Sequence, residues 1–344
     1  MRRKHLSKQE VKNAIDGKSS PRHVPVTFSI WPPPSYKSSD IFKSSDTFRS
    51  YKSFLKYRGD IRVKYMKQLM RPIIKFQNSV TLFDKPKTEG PLDEDVYLED
   101  YANLDEFLEQ INDPYKIKLS KTGGSKRYKL TLFWNGLFEN LWQIRGMKNA
   151  LMDPYLYPEE VHRVFRAITD FYKVLIIRAK TEQNSDGFMG SDDLGHQTAA
   201  FFSSSIFKEF YYPYYKELID TAHEYNMHYW LHACGDITQF LPMFIEMGLD
   251  VIHPLQKYAM DEVKVFEEFH DQICFLYGFD VQQILPFGTV NDVKQEVYKT
   301  FDLFTQAKGR FIFTTGNGIT NNCPVENYET LLKEAREYNP YKES

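Results

Sequence analysis

The feature that most constrains this chain is a rhythm. Short runs rich in β-branched and aromatic residues recur along it, separated by longer stretches with helical periodicity, which is the pattern of β/α units. Eight such runs are readable: VPVTFSI (24–30), VTLFD (80–84), KLTLFW (129–134), GFMGS (187–191), HYWLHA (228–233), DVIHPL (250–255), QICFLYG (272–278) and RFIFTTG (310–316). Between them lie amphipathic segments such as SIFKEFYYPYYKELIDTAHEYN (205–226), ITQFLPMFIEMG (237–248) and NDVKQEVYKTFDLFTQAKG (291–309), the last two closing on a glycine suited to end a helix. Connections of that length suit right-handed crossovers and hence parallel strands. Eight units in 344 residues predict an α/β fold of the (β/α)8 TIM barrel type, with long insertions after the first and second strands. A doubly wound open sheet is the competing arrangement, but no G-x-G-x-x-G follows the first strand.

The surplus length falls in two places. Residues 32–72 open on PPPSYKSSD, carry a second KSSD, and pass into a helix-like run. Residues 85–127 are polar and contain LDEFLEQI and KTGGSKR. Both are read as loop or helical excursions from one domain spanning 1–344, either solvated surface insertions or covers over the barrel mouth.

Composition removes several classes of function. With 42% hydrophobic residues the chain can bury a large core. Its 44 basic and 46 acidic residues, a formal net charge of -2, give no general attraction to nucleic acid or anionic membrane. The charged start MRRKHLSKQEV has no apolar run behind it, and no window approaches 18 apolar residues, so neither a secretory leader nor a membrane span is expected and the location expected is cytoplasmic. Three cysteines suit a reducing compartment, where each thiol is packing or chemistry.

Barrel sites are built where strands end. The residues there are Trp31, Asp84, Trp134 with Asn135, Asp192 with Asp193, His232 with Cys234, His253 with Gln256, Asp280, and Asn317. The run GSDDLGHQ (190–197) gathers two carboxylates, His196 and Gln197 just after a strand. His232 and Cys234 sit at i and i+2 of an extended chain and so face one side, where imidazole and thiolate can share a zinc ion. The plainer reading makes Cys234 a small buried hydrophobe and His232 a hydrogen-bonded core residue. A catalytic zinc needs a third protein donor: Cys323, Cys274, Asp192, Asp193 and His196 are open to that role, although Cys274 lies near the start of its strand.

The segments LHACGDITQFLPMFIEMGLDVIHPLQ, YGFDVQQILPFGTVNDVKQEV and FTTGNGITNNCPVENYETLLKEA resemble the uroporphyrinogen decarboxylase superfamily, and GSDDLGHQ, FKEFYYPYYKELIDTAH and LFENLWQIRGMKNALMDPYLYPEEV extend the likeness upstream. The resemblance implies a barrel and two possible chemistries. True decarboxylases of this group work without metal and carry an arginine-bearing segment after the first strand to hold an octa-acid; the corresponding place here reads FSIWPPP. The other branch, cobalamin-dependent methyltransferases, holds zinc with an H-x-C-G and a second cysteine after the last strand. His232, Cys234 and Gly235 match the first part; Asn317 stands in the turn where the second cysteine is usual, and Cys323 follows six residues later.

The resemblance therefore implies a zinc-assisted methyltransferase that moves a methyl group between a small methylated substrate (methoxylated aromatic, methylamine or thiol) and a separate corrinoid protein. His232, Cys234 and Cys323 are the expected metal ligands and Asp192, Asp193 and His196 the expected proton-handling residues. Trp31, Trp134, Phe138, Gln197, His253, Gln256, Asp280 and Asn317 are expected to contact substrate. A metal-free decarboxylase using Asp192 or Asp193 is the alternative, and a barrel that only binds a ligand is the third reading.

Overall fold

The computed structural model describes residues 4–28, 30, 59–65, 98, 100–109, 111–119, 126–306, 309–320 and 322–341. The chain divides into two compact units: Met1–Val63 with Gly124–Leu130 and Asp250–Ser344, and Lys64–Gly123 with Thr131–Leu249. The strands of the described residues are β1 (Ile61–Tyr65), β2 (Tyr128–Leu132), β3 (Gly187–Ser191), β4 (His228–His232), β5 (Val251–Gln256), β6 (Cys274–Phe279) and β7 (Phe311–Thr315).

In the unit that ends at Leu249, β3 and β4 run parallel, with Gly187 opposite His228 and Ser191 opposite His232. All five residues of β3 are buried, as expected for a strand covered on both faces. The helix Pro158–Gln183 leads into it. Proline at its start, Glu159 and Glu160 in its first turn and buried Val161, Val164, Phe165, Ile168, Leu175, Ile176 and Ala179 at helical spacing explain its formation. It stops at Asn184, which adopts the left-handed conformation. Where it meets β2, Thr131 Oγ1 donates to Gln183 Oε1 at 2.7 Å, so the strand's polar side chain is satisfied inside the core. The helix Tyr212–Glu224 follows a π-helical turn, Phe207–Tyr211, and Leu241–Met247 ends on Gly248 at φ +86°.

In the other unit, β5, β6 and β7 form a parallel set, with Val251 opposite Cys274 and Phe275 opposite Phe311. Segment 24–28 joins it through one parallel bridge: Thr27 N–H donates to Phe313 O at 2.9 Å and Phe313 N–H to Pro25 O at 3.0 Å. Phe313 lies among Phe28, Tyr277, Phe279 and Phe301, the centre of an aromatic core. The helix Val290–Phe304 begins with a reciprocal cap between Thr289 and Asp292.

Six of the expected strands are present within two residues of their predicted limits. The run at 24–30 contributes two isolated bridges, Val26 to Phe313 and Thr27 to Gly59, rather than a full strand among its described residues, and 80–84 lies outside the described residues. A strand absent from the sequence reading, β1, sits in the stretch 32–72; Arg62 and Lys64 interrupt its apolar residues Ile61 and Val63, and that charge masked it. Gly309 is not the helix terminator expected, because the helix ends at Phe304 with Thr305 as its cap. No helix among the described residues is long and apolar enough to cross a membrane.

Asp60 ties the N-terminal segment to this second unit. It is 3% exposed and accepts from Leu6 N–H at 2.9 Å and Val26 N–H at 3.2 Å, with His23 Nε2 at 3.4 Å and His5 Nδ1 at 3.5 Å. Burial alone would raise its pKa, but the hydrogen bonds from His23, His5 and Leu6 hold it well below the ordinary carboxylate range. A depressed carboxyl contributes stability above its unfolded value of about 3.9 and loses it as pH falls toward the folded value. Asp60→Asn should therefore cost roughly 2–3 kcal/mol at pH 7, measured by urea unfolding, and the gap to wild type should shrink below about pH 4.

Candidate active site

β3 and β4 are in register at their last residues. Asp192 N–H donates to His232 O at 2.8 Å, which keeps the alignment one residue past Ser191. Asp193 and Cys234 therefore come level, each two residues beyond a paired position. Asp192 and Asp193, neighbours in the chain, enter different environments.

Asp192 turns into the protein. It is fully buried and accepts from the backbone N–H groups of Phe138 at 3.0 Å and Glu139 at 2.8 Å and from the Tyr215 hydroxyl at 2.6 Å. The helix Leu137–Arg145 starts at Gly136, which has no side chain to cap it, and Asp192 supplies the cap from another strand. Burial pushes the Asp192 pKa up to about 7 against these three donors.

Asp193 turns the other way. Its Oδ1 lies 3.5 Å from His232 Nε2 and accepts the Cys234 N–H at 3.0 Å, and the Cys234 Sγ lies 3.3 Å from His232 Nε2. The donor atoms of Asp193, His232 and Cys234 all lie within 4.8 Å of one another, the one such group of metal-capable side chains among the described residues. Usual zinc bond lengths at tetrahedral angles place donor atoms roughly 3.3–3.6 Å apart, and the two separations from His232 Nε2 fall in that range. The His232 side chain is 3% exposed, while that of Asp193 is 45% exposed, giving the group a buried and an open side. Burial lowers the His232 pKa to about 3, which keeps the imidazole neutral and its lone pair available to a metal. Although about half of its side chain reaches solvent, partial desolvation of the Asp193 carboxyl outweighs the N–H of Cys234 and shifts it upward.

Glu139 is a site residue the sequence reading passed over. Its Oε2 accepts from Ser191 Oγ at 2.8 Å and Gly136 N–H at 3.2 Å. Burial, then the charges of Asp193 and Asp192, raise its pKa well above the usual carboxylate value. The signal was its place three residues after Gly136, where a glutamate closes on the start of a helix. Beside it, a cavity of about 10 Å³, room for one water, is lined by Gly136, Tyr172, Ser191, Tyr215 and Tyr229 among others.

The other predicted residues are distributed as follows. Trp134 stands edge-on to His232, ring centroids 5.5 Å apart at 88°. Phe138 is fully buried against Phe201, Phe202 and Tyr211, so it offers the site its backbone N–H rather than its ring. His196 and Gln197 are exposed on the loop after β3, with His196 Nδ1 3.3 Å from Thr198 Oγ1. His253, Gln256, Asp280, Asn317 and both remaining cysteines belong to the other unit. There His253 Nε2 lies 3.2 Å from Thr315 O, Asp280 accepts the N–H groups of Gln282, Gln283 and Ile284, and Asn317 Oδ1 accepts Gly318 N–H. Cys323 directs its thiol at Leu285 O and Pro324 O, and burial pushes its pKa up to about 11. Cys274 is fully buried, and burial raises its thiol far more. Trp31 lies outside the described residues.

The uroporphyrinogen decarboxylase (URO-D) family model matches residues 95–338. The methylated-thiol–coenzyme M methyltransferase of Methanosarcina mazei is 25% identical over 198 residues, 56% of this chain and 49% of that protein. The methylcobamide:CoM methyltransferase MtbA of Methanosarcina acetivorans is 24% identical over 177 residues, 50% of this chain and 49% of its own. The chain thus spans about half the length of the curated relatives it matches. Among solved structures, a methyltransferase from Methanosarcina mazei superposes with a TM-score of 0.65 at 15% identity, over 97% of this chain and 99% of that one. That likeness shows the fold, the α/β barrel expected from the strand rhythm.

Tyr215→Phe tests the role given to Asp192. A carboxyl whose folded pKa exceeds its unfolded value of about 4 contributes most at low pH and loses that contribution as pH climbs through about 7. Removing the phenol takes a donor from the ionised form, so the Asp192 titration, followed by carboxyl carbon NMR, should move upward. Stability at pH 7 should fall by about 1–2 kcal/mol.

Proposed function

Because the chain belongs to the uroporphyrinogen decarboxylase family, we propose that it is the methyl-transferring kind of member, moving a methyl group between a small methylated substrate and a corrinoid protein. One observation carries the reading: Asp193, His232 and Cys234 converge as a carboxylate, a neutral imidazole and a thiol on the open ends of paired strands. A metal-independent decarboxylase has no need of that donor set. The relatives' names point to a methylated thiol as the first substrate class to try.

Zinc bound there would supply a Lewis acid for the atom that carries the methyl group. The rest is the work of the chain. His232 is held neutral by burial and presents Nε2, the atom facing both other donors. The Cys234 N–H holds Asp193 Oδ1, fixing which carboxylate oxygen meets the imidazole. Glu139, anchored through Ser191 and Gly136, is a carboxyl group able to keep or release a proton beside the site. The Trp134 ring packs edge-on against His232, limiting the imidazole's rotation. The corrinoid protein would dock where the half-exposed Asp193 opens outward.

Protein purified without chelator should carry about one zinc per chain by elemental analysis, lost in His232→Ala and in Cys234→Ser. Methyl transfer, followed by the absorbance change between methylcobalamin and cob(I)alamin with methylated thiols, amines and methoxyarenes, should fall more than 10²-fold in both variants, beyond the 10–100-fold effect of losing a mere supporting group. A metal-free chain that releases carbon dioxide from a carboxylated substrate would instead identify a decarboxylase.

A further inference from the structure

The loops after β3 and β4 meet at two glycines. A Cβ on Gly235 would lie 2.2 Å from the Gly195 carbonyl carbon and 2.6 Å from His196 N, and Gly235 has a φ of +87°. A Cβ on Gly195 would lie 2.7 Å from Asp236 O. Each position therefore admits only a hydrogen atom, and Gly235 also needs the left-handed backbone that glycine adopts without strain. The crossing is sealed on both sides: Asp236 N–H donates to His196 O at 2.8 Å, and the 194–201 loop is closed by His196 N–H to Ala199 O at 2.8 Å and Phe201 N–H to Leu194 O at 2.9 Å.

The contact sits two residues beyond Asp193 and one beyond Cys234, while the other ends of the same segments are fixed by the Ser191–His232 pairing and the Asp192 N–H to His232 O bond. Both donor-bearing segments are thus clamped before and after the donor, and the Cys234 N–H to Asp193 bond spans the gap between the clamps. We propose that the Gly195–Gly235 crossing is a positioning device that presets the spacing of the Asp193, His232 and Cys234 donors, so that the metal site is shaped before a metal arrives. Gly195 and Gly235 touch no ligand; they act through the two chains they bring together. The assignment rests on the donor set named under the proposed function.

Gly195→Ala and wild type are compared in the metal-free form and by zinc titration. Because a Cβ at position 195 meets the Asp236 backbone, the metal-free variant should stay folded but melt at a lower temperature, while zinc affinity falls tenfold or more, beyond that loss of stability, and zinc should no longer protect Cys234 from alkylation by iodoacetamide. Unchanged affinity overturns the proposal, and so does a loss of affinity matched by an equal loss of fold stability. A second measurement needs no variant: in metal-free wild type, the Asp236 amide should be as protected from hydrogen exchange as in the zinc-loaded protein. Fast exchange that slows only when zinc is added would mean that the metal builds the crossing, and would overturn the proposal. A wild-type chain that binds no zinc overturns the donor assignment as well, which separates the two failures.

Discussion

A carboxylate with no route to water organises this site. Asp192 is buried completely, at a desolvation cost large enough to lift its pKa to about 7, and it stays because three donors converge on it. Two of them are the orphan N–H groups at the start of the helix Leu137–Arg145 and the third is the hydroxyl of Tyr215 on the helix Tyr212–Glu224. One side chain therefore joins a strand end to two helices. Its chain neighbour Asp193 faces the other way, to His232 and Cys234.

The electrostatics of the pocket follow. Asp192, Asp193 and Glu139 crowd together, and each is shifted toward its protonated form chiefly by burial. His232 is shifted toward neutrality by the same cause. The neutral, buried imidazole of His232 thus presents its lone pair in a poorly screened setting, while Asp193 stays in reach of solvent. The hydrogen bonds from Ser191, Gly136 and Cys234 keep the carboxylates oriented.

Much of this was legible before any coordinates. The β/α rhythm placed six strands to within two residues, because burial on both faces demands uninterrupted apolar runs that stand out from amphipathic helices. The pair His232 and Cys234 was legible because a period of two puts i and i+2 on one face whatever the surrounding fold. Other parts resisted for physical reasons. β1 was hidden by the charges of Arg62 and Lys64, and Gly309 misled because glycine marks irregular loops as readily as helix ends. Glu139 was overlooked because its neighbours Asp192 and Asp193 lie more than fifty residues away in sequence, and Phe138 proved to matter through its N–H, which no side-chain inventory reveals.

The amino-acid sequence alone thus determined the class of fold and the imidazole–thiol pair, both of which depend on local periodicity. Only the tertiary structure decided which further donor stands beside that pair. Parallel pairing aligned Ser191 with His232, and two more residues past each strand brought Asp193 level with Cys234 across a gap of 41 residues in sequence. Register is a property of two strands hydrogen-bonded together, and neither strand carries it by itself.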